Sequence, residues 1–415
     1  MTIASARVPS SEELRWITER AVADIIPRDE FTAVLTSGRA LRLKMGFDPS
    51  APDLTLGHAV GLRKLRQLQD LGHTIVVIVG DWTARIGDPS GQSKTRPMLS
   101  AEQVKENAET YLRQFSKIVD RELTEIRWQS EWFDEFTLTT VVNLAAKFTV
   151  AQMLERGDFA ERFAGKKPIG IHELFYPLLQ AYDSVAVQAD VEFGGTDQTF
   201  NLMVGRQLQP EFGQKPQAVF TVPLLVGTDG VKMSKSQGNY VALEEPPREM
   251  YGKLMSITDP LVGDYFELLT DVTDEELAAI REAVGRGGTG ARDAKMRLAR
   301  EIVSQFHGAE AGDEAEHEFR RVFSKREAPA EALDLPVAFN GAASMEIDLT
   351  EALVSAGVAA SKSDVRRLVS QGAVEADDVP VKDFRASVRE GTIIRVGKHR
   401  FVRVVDTDGA PRGDG

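Results

Sequence analysis

The 415-residue sequence contains no cysteine, which excludes both a disulfide framework and a thiolate metal site. It has no apolar run of membrane length. Residues 1–30 carry Glu12, Glu13, Glu19 and Asp24 where a secretory signal would need an apolar core, so a cytoplasmic location is expected. Positive charge is also short. Fifty Lys and Arg stand against 63 Asp and Glu, a net charge of −13, which disfavours indiscriminate binding to nucleic acid because that depends on neutralising phosphates. What remains is an ordinary soluble composition, 42% hydrophobic and 27% charged, in a chain long enough for two or three domains with cores of their own.

The charge is unevenly spread. Residues 361–403 hold ten Lys and Arg against six acids, a basic end on an acidic body. The residues with chemical potential lie earlier, beginning with KMGFDPSAPDLTLGHAVG at 44–61. Leu41, Leu43 and Met45 alternate with Arg42 and Lys44, the period of a half-buried strand, and Asp48-Pro49-Ser50 breaks it. Leu62, Leu65 and Leu68 then recur at helical spacing up to Gly72. Gly57 and His58 therefore stand at a helix N-terminus, where unpaired N–H groups attract anions and glycine lets a phosphate approach. A nucleotide fits this place; on this segment alone, a commonplace helix-start glycine beside a solvated histidine fits it too.

Residues 1–10 read as a disordered leader and 11–36 as one or two short helices. The β-branched run at 74–80 is a strand buried on both faces of a parallel sheet, completing a βαβ unit. The loop at 86–96, with Lys94 and Arg96, then faces the same crevice, because ligands of such sheets bind beyond the strands' carboxyl ends. Ser100 and Gln103 form a capping box for a helix to about residue 120. Residues 130–165 read as helical, with Trp132, Phe133, Phe148 and Met153 as core. In IHELFYPLLQAYD, 171–183, a helix after Pro177 puts Gln180 and Asp183 on one face, with Tyr176 one turn before Gln180. Polar groups there suit a small polar ligand, or equally a helix cap and a satisfied buried tyrosine. Residues 187–193 and 219–226 read as strands. The first leads into GGTDQ at 194–198, where Asp197 could accept from ribose hydroxyls. The second leads through a turn at 227–230 to Lys232-Met-Ser-Lys-Ser236, two mobile ammonium groups suited to a polyphosphate.

KMSKS at 232–236 and the degenerate Thr55-Leu-Gly-His58 resemble the two signature motifs of class I aminoacyl-tRNA synthetases. GFDPSAPDLTLGH, GDPSG, YPLLQAYDS, GGTDQ and KMSKSQGNY together resemble the bacterial tyrosyl-tRNA synthetases, over residues 12–403. The resemblance implies an α/β fold with a Rossmann-like parallel-sheet catalytic domain at 1–239 and a helical, anticodon-binding-like domain at 240–325. A linker at 326–345 and a small α+β RNA-binding domain at 346–415, disordered from 405, complete the expectation.

The implied activity is tyrosine–tRNA ligation, with tyrosine, ATP and tRNA as partners, a homodimeric assembly and no membrane. Asp88, Tyr176 and Gln180 would surround the tyrosine amino group, Asp183 and the position of Lys44 its phenol, and Gln198 its carboxyl. Asp48, Gly57, His58, Gly195, Asp197 and Ser234 would hold ATP, while Ser50, Thr55 and His58 would act at the reacting phosphate. Lys94, Arg96, Lys232 and Lys235 would meet the departing pyrophosphate, with Mg²⁺ arriving on ATP and no tightly bound cofactor or metal site of the protein's own. Lys362, Arg366 and Arg367 would meet RNA. Three positions depart from the family pattern: Thr55 replaces a histidine and cannot become cationic, Lys44 replaces a tyrosine frequent near the phenol, and Gln92 replaces a basic loop residue. A subgroup of the tyrosyl enzymes carries lysine at the Lys44 position, so that departure leaves specificity unchanged, but Thr55 and Gln92 keep open a paralogue that activates a modified amino acid, beside a non-catalytic RNA-binding protein of the same fold.

Overall fold

The computed structural model describes residues 5–50, 52–88, 100–231, 233, 238–324, 332–377, 379–381, 383–397 and 400–407. The chain divides into two compact units, 1–312 and 313–415.

The first unit is built on a six-stranded sheet of β1 (Asp24–Ile26), β2 (Arg42–Phe47), β3 (Thr74–Val79), β4 (Thr124–Trp128), β5 (Val191–Gly195) and β6 (Ala218–Val222), in the order β1-β6-β5-β2-β3-β4. Strands β2 to β6 are mutually parallel and β1 joins the edge antiparallel to β6. Burial follows the β-branched content: Ile75 to Val79 and all of β6 are buried. Helix α1 (Leu56–Gln69) connects β2 to β3 and buries Leu62, Leu65 and Leu68 completely. From β2 the chain proceeds through β3 and β4 to one side, and β5 and β6 are laid down on the other, so the strand order reverses between β2 and β5. Such a reversal opens a crevice at the strands' carboxyl ends, the place where ligands bind in open α/β sheets. Four helices, Pro247–Ser256, Val262–Leu269, Asp274–Gly285 and Thr289–His307, belong to this unit, and the fully buried Tyr251, Tyr265 and Phe266 anchor them.

The second unit contains β7 (Leu333–Val337), β8 (Met345–Asp348), β9 (Val374–Ala376), β10 (Val379–Pro380), β11 (Arg385–Val388), β12 (Ile393–Val396) and β13 (Arg400–Asp406), with helices Leu349–Ser355 and Lys362–Ser370. Its strands form the sheet β10-β9-β12-β13-β7 and the ribbon β11-β8. Leu349, Leu353, Val365, Ile394 and Val402, all without solvent exposure, make its core.

Several expectations are corrected. Residues 5–7 are not a loose leader: Ala6 N–H donates to Gly38 O, Arg7 N–H to Leu71 O, and Ala6 is buried. Strand β4 escapes recognition because Thr-Glu-Ile-Arg-Trp mixes charge with apolar residues, which a sheet edge tolerates. Within the expected linker, Leu333–Val337 is an edge strand: Leu335 and Val337 alternate into the core, and Pro336 is acceptable because only one side of the strand is paired. Residues 405 and 406, expected to be disordered, continue β13. The strands expected at 187–193 and 219–226 are shorter, Val191–Gly195 and Ala218–Val222, since Val187 caps the preceding helix.

Gly80 ends β3 where the backbone meets the Asp48 side chain. A Cβ here would overlap the Asp48 carboxylate and lie 2.5 Å from Thr83 Oγ1. Gly80→Ala should therefore cost about 1–3 kcal/mol, the range for overpacking, measured by urea unfolding; an unchanged midpoint would mean that Asp48 and Thr83 move aside freely.

Candidate active site

The loop after β2 and the start of α1 are pinned from behind by the segment that follows KMSKS. Leu56 N–H donates to Val241 O at 3.0 Å, Leu243 N–H donates to Leu54 O at 2.9 Å, and Thr55 forms a β-bridge with Ala242. The first signature motif thus shares one short ladder with the segment a few residues beyond the second. A Cβ built on Gly57 would lie 3.7 Å from Met233 Sδ, so the middle of the second motif faces the helix start. Lys232, Ser234 and Lys235 lie outside the described residues, as do Lys94, Arg96 and Gln92.

Thr55 is buried at the N-cap of α1. Its backbone N–H donates to His58 Nδ1 at 3.1 Å, and its Oγ1 lies 3.0 Å from the same nitrogen. An Nδ1 that accepts an amide proton leaves the ring proton on Nε2, so His58 is set as an Nε2 donor. Ser50 is exposed, with its backbone N–H on Asp48 O at 2.7 Å. Across the reversal, Gly195 ends β5, where a Cβ would lie 2.7 Å from both Asp197 Oδ1 and Leu224 Cδ2. Asp197 and Gln198 follow in a short 3₁₀ turn.

Helix α2 (Tyr176–Ala186) forms as expected, with Pro177 in its first turn, where a missing N–H costs nothing. Tyr176 donates to Asp48 Oδ2 at 2.8 Å, and Thr83 donates to Asp48 Oδ1 at 2.7 Å. Burial, followed by the charges of Asp48 and Asp88, holds the Tyr176 phenol well above its ordinary pKa, so it remains a donor. Asp183, 2% exposed, accepts from Gln129 Nε2 at 2.8 Å and Trp132 Nε1 at 3.2 Å. Burial pushes its carboxyl up to about 7 against the opposing charge of Lys44. Gln129 is itself oriented: its Oε1 accepts from the N–H groups of Trp82 and Thr83, which turns its Nε2 to Asp183.

Asp88 is held by Arg156 Nη2 at 3.1 Å and by Gln198 Nε2 at 2.8 Å. Arg156, 4% exposed, also donates to Asn201 Oδ1 at 3.1 Å, and Asn201 returns a bond to Gln198 Oε1 at 2.9 Å. The expected pair Asp88 and Gln198 is thus one network fastened by Arg156 and by Asn201 of helix α3 (Thr199–Leu208). Lys44, expected near the substrate phenol, is engaged within the protein. Its Nζ, with no solvent exposure, lies 2.9 Å from Glu192 Oε1 and 2.8 Å from both Gln180 O and Ser184 Oγ. An ammonium has three protons and these acceptors use all of them.

Sequence reasoning missed Gln129, Trp132, Arg156, Glu192 and Asn201. Trp132 was read as core, although its indole N–H serves Asp183. Arg156 stands in a stretch with no motif, and only its burial among acceptors marks it. In the second unit, Lys362 and Arg367 are exposed but ion-paired to Glu351 and Asp364, and Arg366 lies over the Phe384 ring at 5.8 Å. Arg395 and Arg403 are likewise paired, with Glu375 and Asp334. Lys362, Arg367, Arg395 and Arg403 thus each have an acidic partner within the unit.

The family model for tRNA synthetases class I (W and Y) matches residues 36–324. The chain belongs to this family. The tyrosine–tRNA ligase of Dehalococcoides mccartyi strain CBDB1 is 55% identical to this class I synthetase over 397 residues, covering 95% of this chain and 99% of the relative. That of Thermotoga maritima is 51% identical, with coverages of 95% and 97%. Among solved structures, a truncated mitochondrial tyrosyl-tRNA synthetase of Aspergillus nidulans superposes with a TM-score of 0.64 at 23% identity, over 75% of this chain and 94% of that one. The tyrosyl-tRNA synthetase of Archaeoglobus fulgidus complexed with L-tyrosine gives 0.61 at 23% identity, over 74% and 99%. At that identity the likeness is one of fold.

The raised value at Asp183 has a consequence for stability. An unfolded aspartate titrates near ~4, so the native synthetase holds an extra proton between about pH 4 and about 7. Stability relative to the Asp183→Asn variant should be greatest below that window, fall as pH rises through it and level off above. Urea unfolding of both proteins across that range tests this; a difference that does not vary with pH would mean that Asp183 is ionised throughout.

Proposed function

We propose that the chain is a tyrosine–tRNA ligase that forms tyrosyl-adenylate from L-tyrosine and ATP and then esterifies the 3′-terminal adenosine of tRNA(Tyr). The observation that carries this reading is a buried Asp183 on the same face of α2 as Gln180, one turn from Tyr176, at the reversal of a class I synthetase sheet. A carboxylate oxygen keeps lone pairs beyond the one that Trp132 or Gln129 uses. A phenol hydroxyl can donate to it, whereas phenylalanine would leave a buried polar group unsatisfied, the discrimination for which tyrosyl-tRNA synthetases are the standard example.

In the first step a tyrosine carboxylate oxygen attacks the α-phosphorus of ATP in line. The P–O bond to the β-phosphate breaks, and pyrophosphate leaves. In the second, an adenosine hydroxyl of tRNA attacks the activated carbonyl carbon, AMP leaves with the bonding electrons, and the hydroxyl proton is lost to solvent. Such transfers need positioning and charge stabilisation more than a strong base. His58, held as an Nε2 donor beside Gly57, suits a developing phosphate charge, and Asp197 after β5 suits the ribose. Lys94, Arg96, Lys232 and Lys235 are proposed for the leaving pyrophosphate, with Mg²⁺ entering as part of the ATP substrate. Asp88, fixed by Arg156 and Gln198, supplies negative charge for the tyrosine ammonium.

A homodimer is part of the reading. Leu138, Val142, Val150, Phe163 and Ile171 are exposed by 56 to 80% and fall within 34 residues of sequence, a concentration of apolar surface that a partner copy would cover. The helices at 247–307 are assigned to the anticodon end of tRNA, and Lys362, Arg366 and Arg367 to RNA phosphate. Among the described residues no helix is long and apolar enough to cross a membrane, and a cytoplasmic enzyme is proposed.

The test is exchange of pyrophosphate into ATP with each of the common amino acids, without tRNA. Tyrosine alone should support exchange, Lys235→Ala should abolish it, and Asp183→Ala should reduce the preference for tyrosine over phenylalanine by about tenfold or more. Exchange with no amino acid would leave a non-catalytic RNA-binding protein, and exchange with another amino acid would reassign the pocket.

A further inference from the structure

We infer that Glu192 is a positioning residue for amino-acid recognition: it turns the Gln180 amide so that the carbonyl oxygen, not the amino group, faces the substrate ammonium. This rests on the tyrosine-activating function proposed above.

Glu192 lies on β5, 1% exposed, and is the register partner of Lys44 on β2, across the reversal of the sheet. Its Oε1 lies 2.9 Å from Lys44 Nζ and accepts from Gln180 Nε2 at 3.1 Å. Its Oε2 accepts from Ser184 Oγ at 3.0 Å and Gln217 Nε2 at 2.5 Å. An ionised carboxylate beside a lysine can only accept, so every neighbour must present a donor to it. For Ser184 this merely rotates a hydroxyl. For Gln180 it decides which end of a two-ended group points away. With Nε2 committed to the buried carboxylate, Oε1 is the end left for a ligand; Gln180 is partly exposed, and among the described residues this oxygen has no donor.

An α-ammonium carries donors alone and needs acceptors. In the orientation that Glu192 imposes, Gln180 offers one; reversed, it would set two N–H groups against a cation. The Lys44 ammonium, whose protons are all engaged within this cluster, pairs with Glu192 and ties the backbone of Gln180 to β2. The cluster also requires Gly205 of α3: a Cβ there would lie 3.0 Å from Glu192 Oε2 and 2.7 Å from Gln217 Nε2.

The test uses the full chain and the exchange assay, with tyramine, which keeps the ammonium and lacks the carboxylate, and 3-(4-hydroxyphenyl)propionate, which lacks the ammonium, as competing inhibitors. Lys44→Met/Glu192→Met removes both charges together, so no ion is buried without its partner. It should raise the tyrosine KM and the tyramine inhibition constant by about tenfold or more, the scale of a lost charge-assisted hydrogen bond. Loss of the Lys44 charge also acts on Asp183, which would move all three phenols alike, so the propionate inhibition constant should rise by a factor at least about fivefold smaller than that of tyramine, and kcat should change far less than KM. Should the double variant not fold, Glu192→Gln, which can present either end to Gln180, is measured the same way. In a Gln180→Met background the substitutions at 44 and 192 should add no further loss, because the amide they act through is gone. Equal weakening of all three ligands, or full additivity with Gln180→Met, overturns the role. A wild-type protein that exchanges with no tyrosine overturns the functional reading instead, and with it any substrate for Gln180 to recognise.

Discussion

A lysine and a glutamate without access to water stand side by side where the sheet reverses its strand order, and much of the site hangs from that pair. Taking two charges out of water costs several kcal/mol each, and their attraction alone often fails to repay it. Here the remaining protons and lone pairs are filled as well. Lys44 reaches Gln180 O and Ser184 Oγ in addition to Glu192, and Glu192 accepts from Gln180, Ser184 and Gln217. Filled in this way, a buried polar cluster is rigid, because every displacement leaves an unsatisfied group in a low dielectric. It joins β2, β5 and α2.

From this base the site rises in two branches. On one, Gln129 takes backbone N–H groups beyond β3 and hands its own amide proton to Asp183. On the other, Arg156 gathers Asp88, Asn201 and, through Asn201, Gln198. Both use the same device: one end of a forked side chain is fixed by the fold, so that the other end is aimed. Asp48, which accepts from Tyr176 and Thr83, is tied through Thr83 to the first branch. An aspartate expected at the nucleotide is thus fixed by Tyr176 of α2 and by Thr83.

The relation between the two signature motifs follows a similar rule. The residues that follow the second motif supply the backbone acceptors and donors for 54–56, so the helix start that carries Gly57 and His58 is held in place by the chain just beyond that motif. Thr55, short and buried at this junction, fills a capping place and holds His58 in one tautomer. The small side chain that looks like a loss of catalytic chemistry therefore has a structural task.

Local patterns in the chain were enough to reveal β2, α1, β3 and α2, because their apolar residues repeat at the period of the element they form, and enough to reveal the glycines and lysines of the nucleotide motifs, because those residue types have few other uses at such spacing. Edge strands β1, β4 and β7 were not legible. A half-paired strand tolerates charge and proline, which erases the pattern. The family's residues Asp88, Tyr176, Gln180 and Asp183 could be named from the order of motifs along the chain. Gln129, Arg156, Glu192 and Asn201 could not, since a buried polar residue is recognisable only through the partner that satisfies it, and those partners come from distant elements. The sequence by itself determined which elements form and which chemistry they carry. Only the tertiary structure decided which end of each polar side chain faces the crevice, because that choice depends on hydrogen bonds made between strands and helices that the chain order keeps far apart.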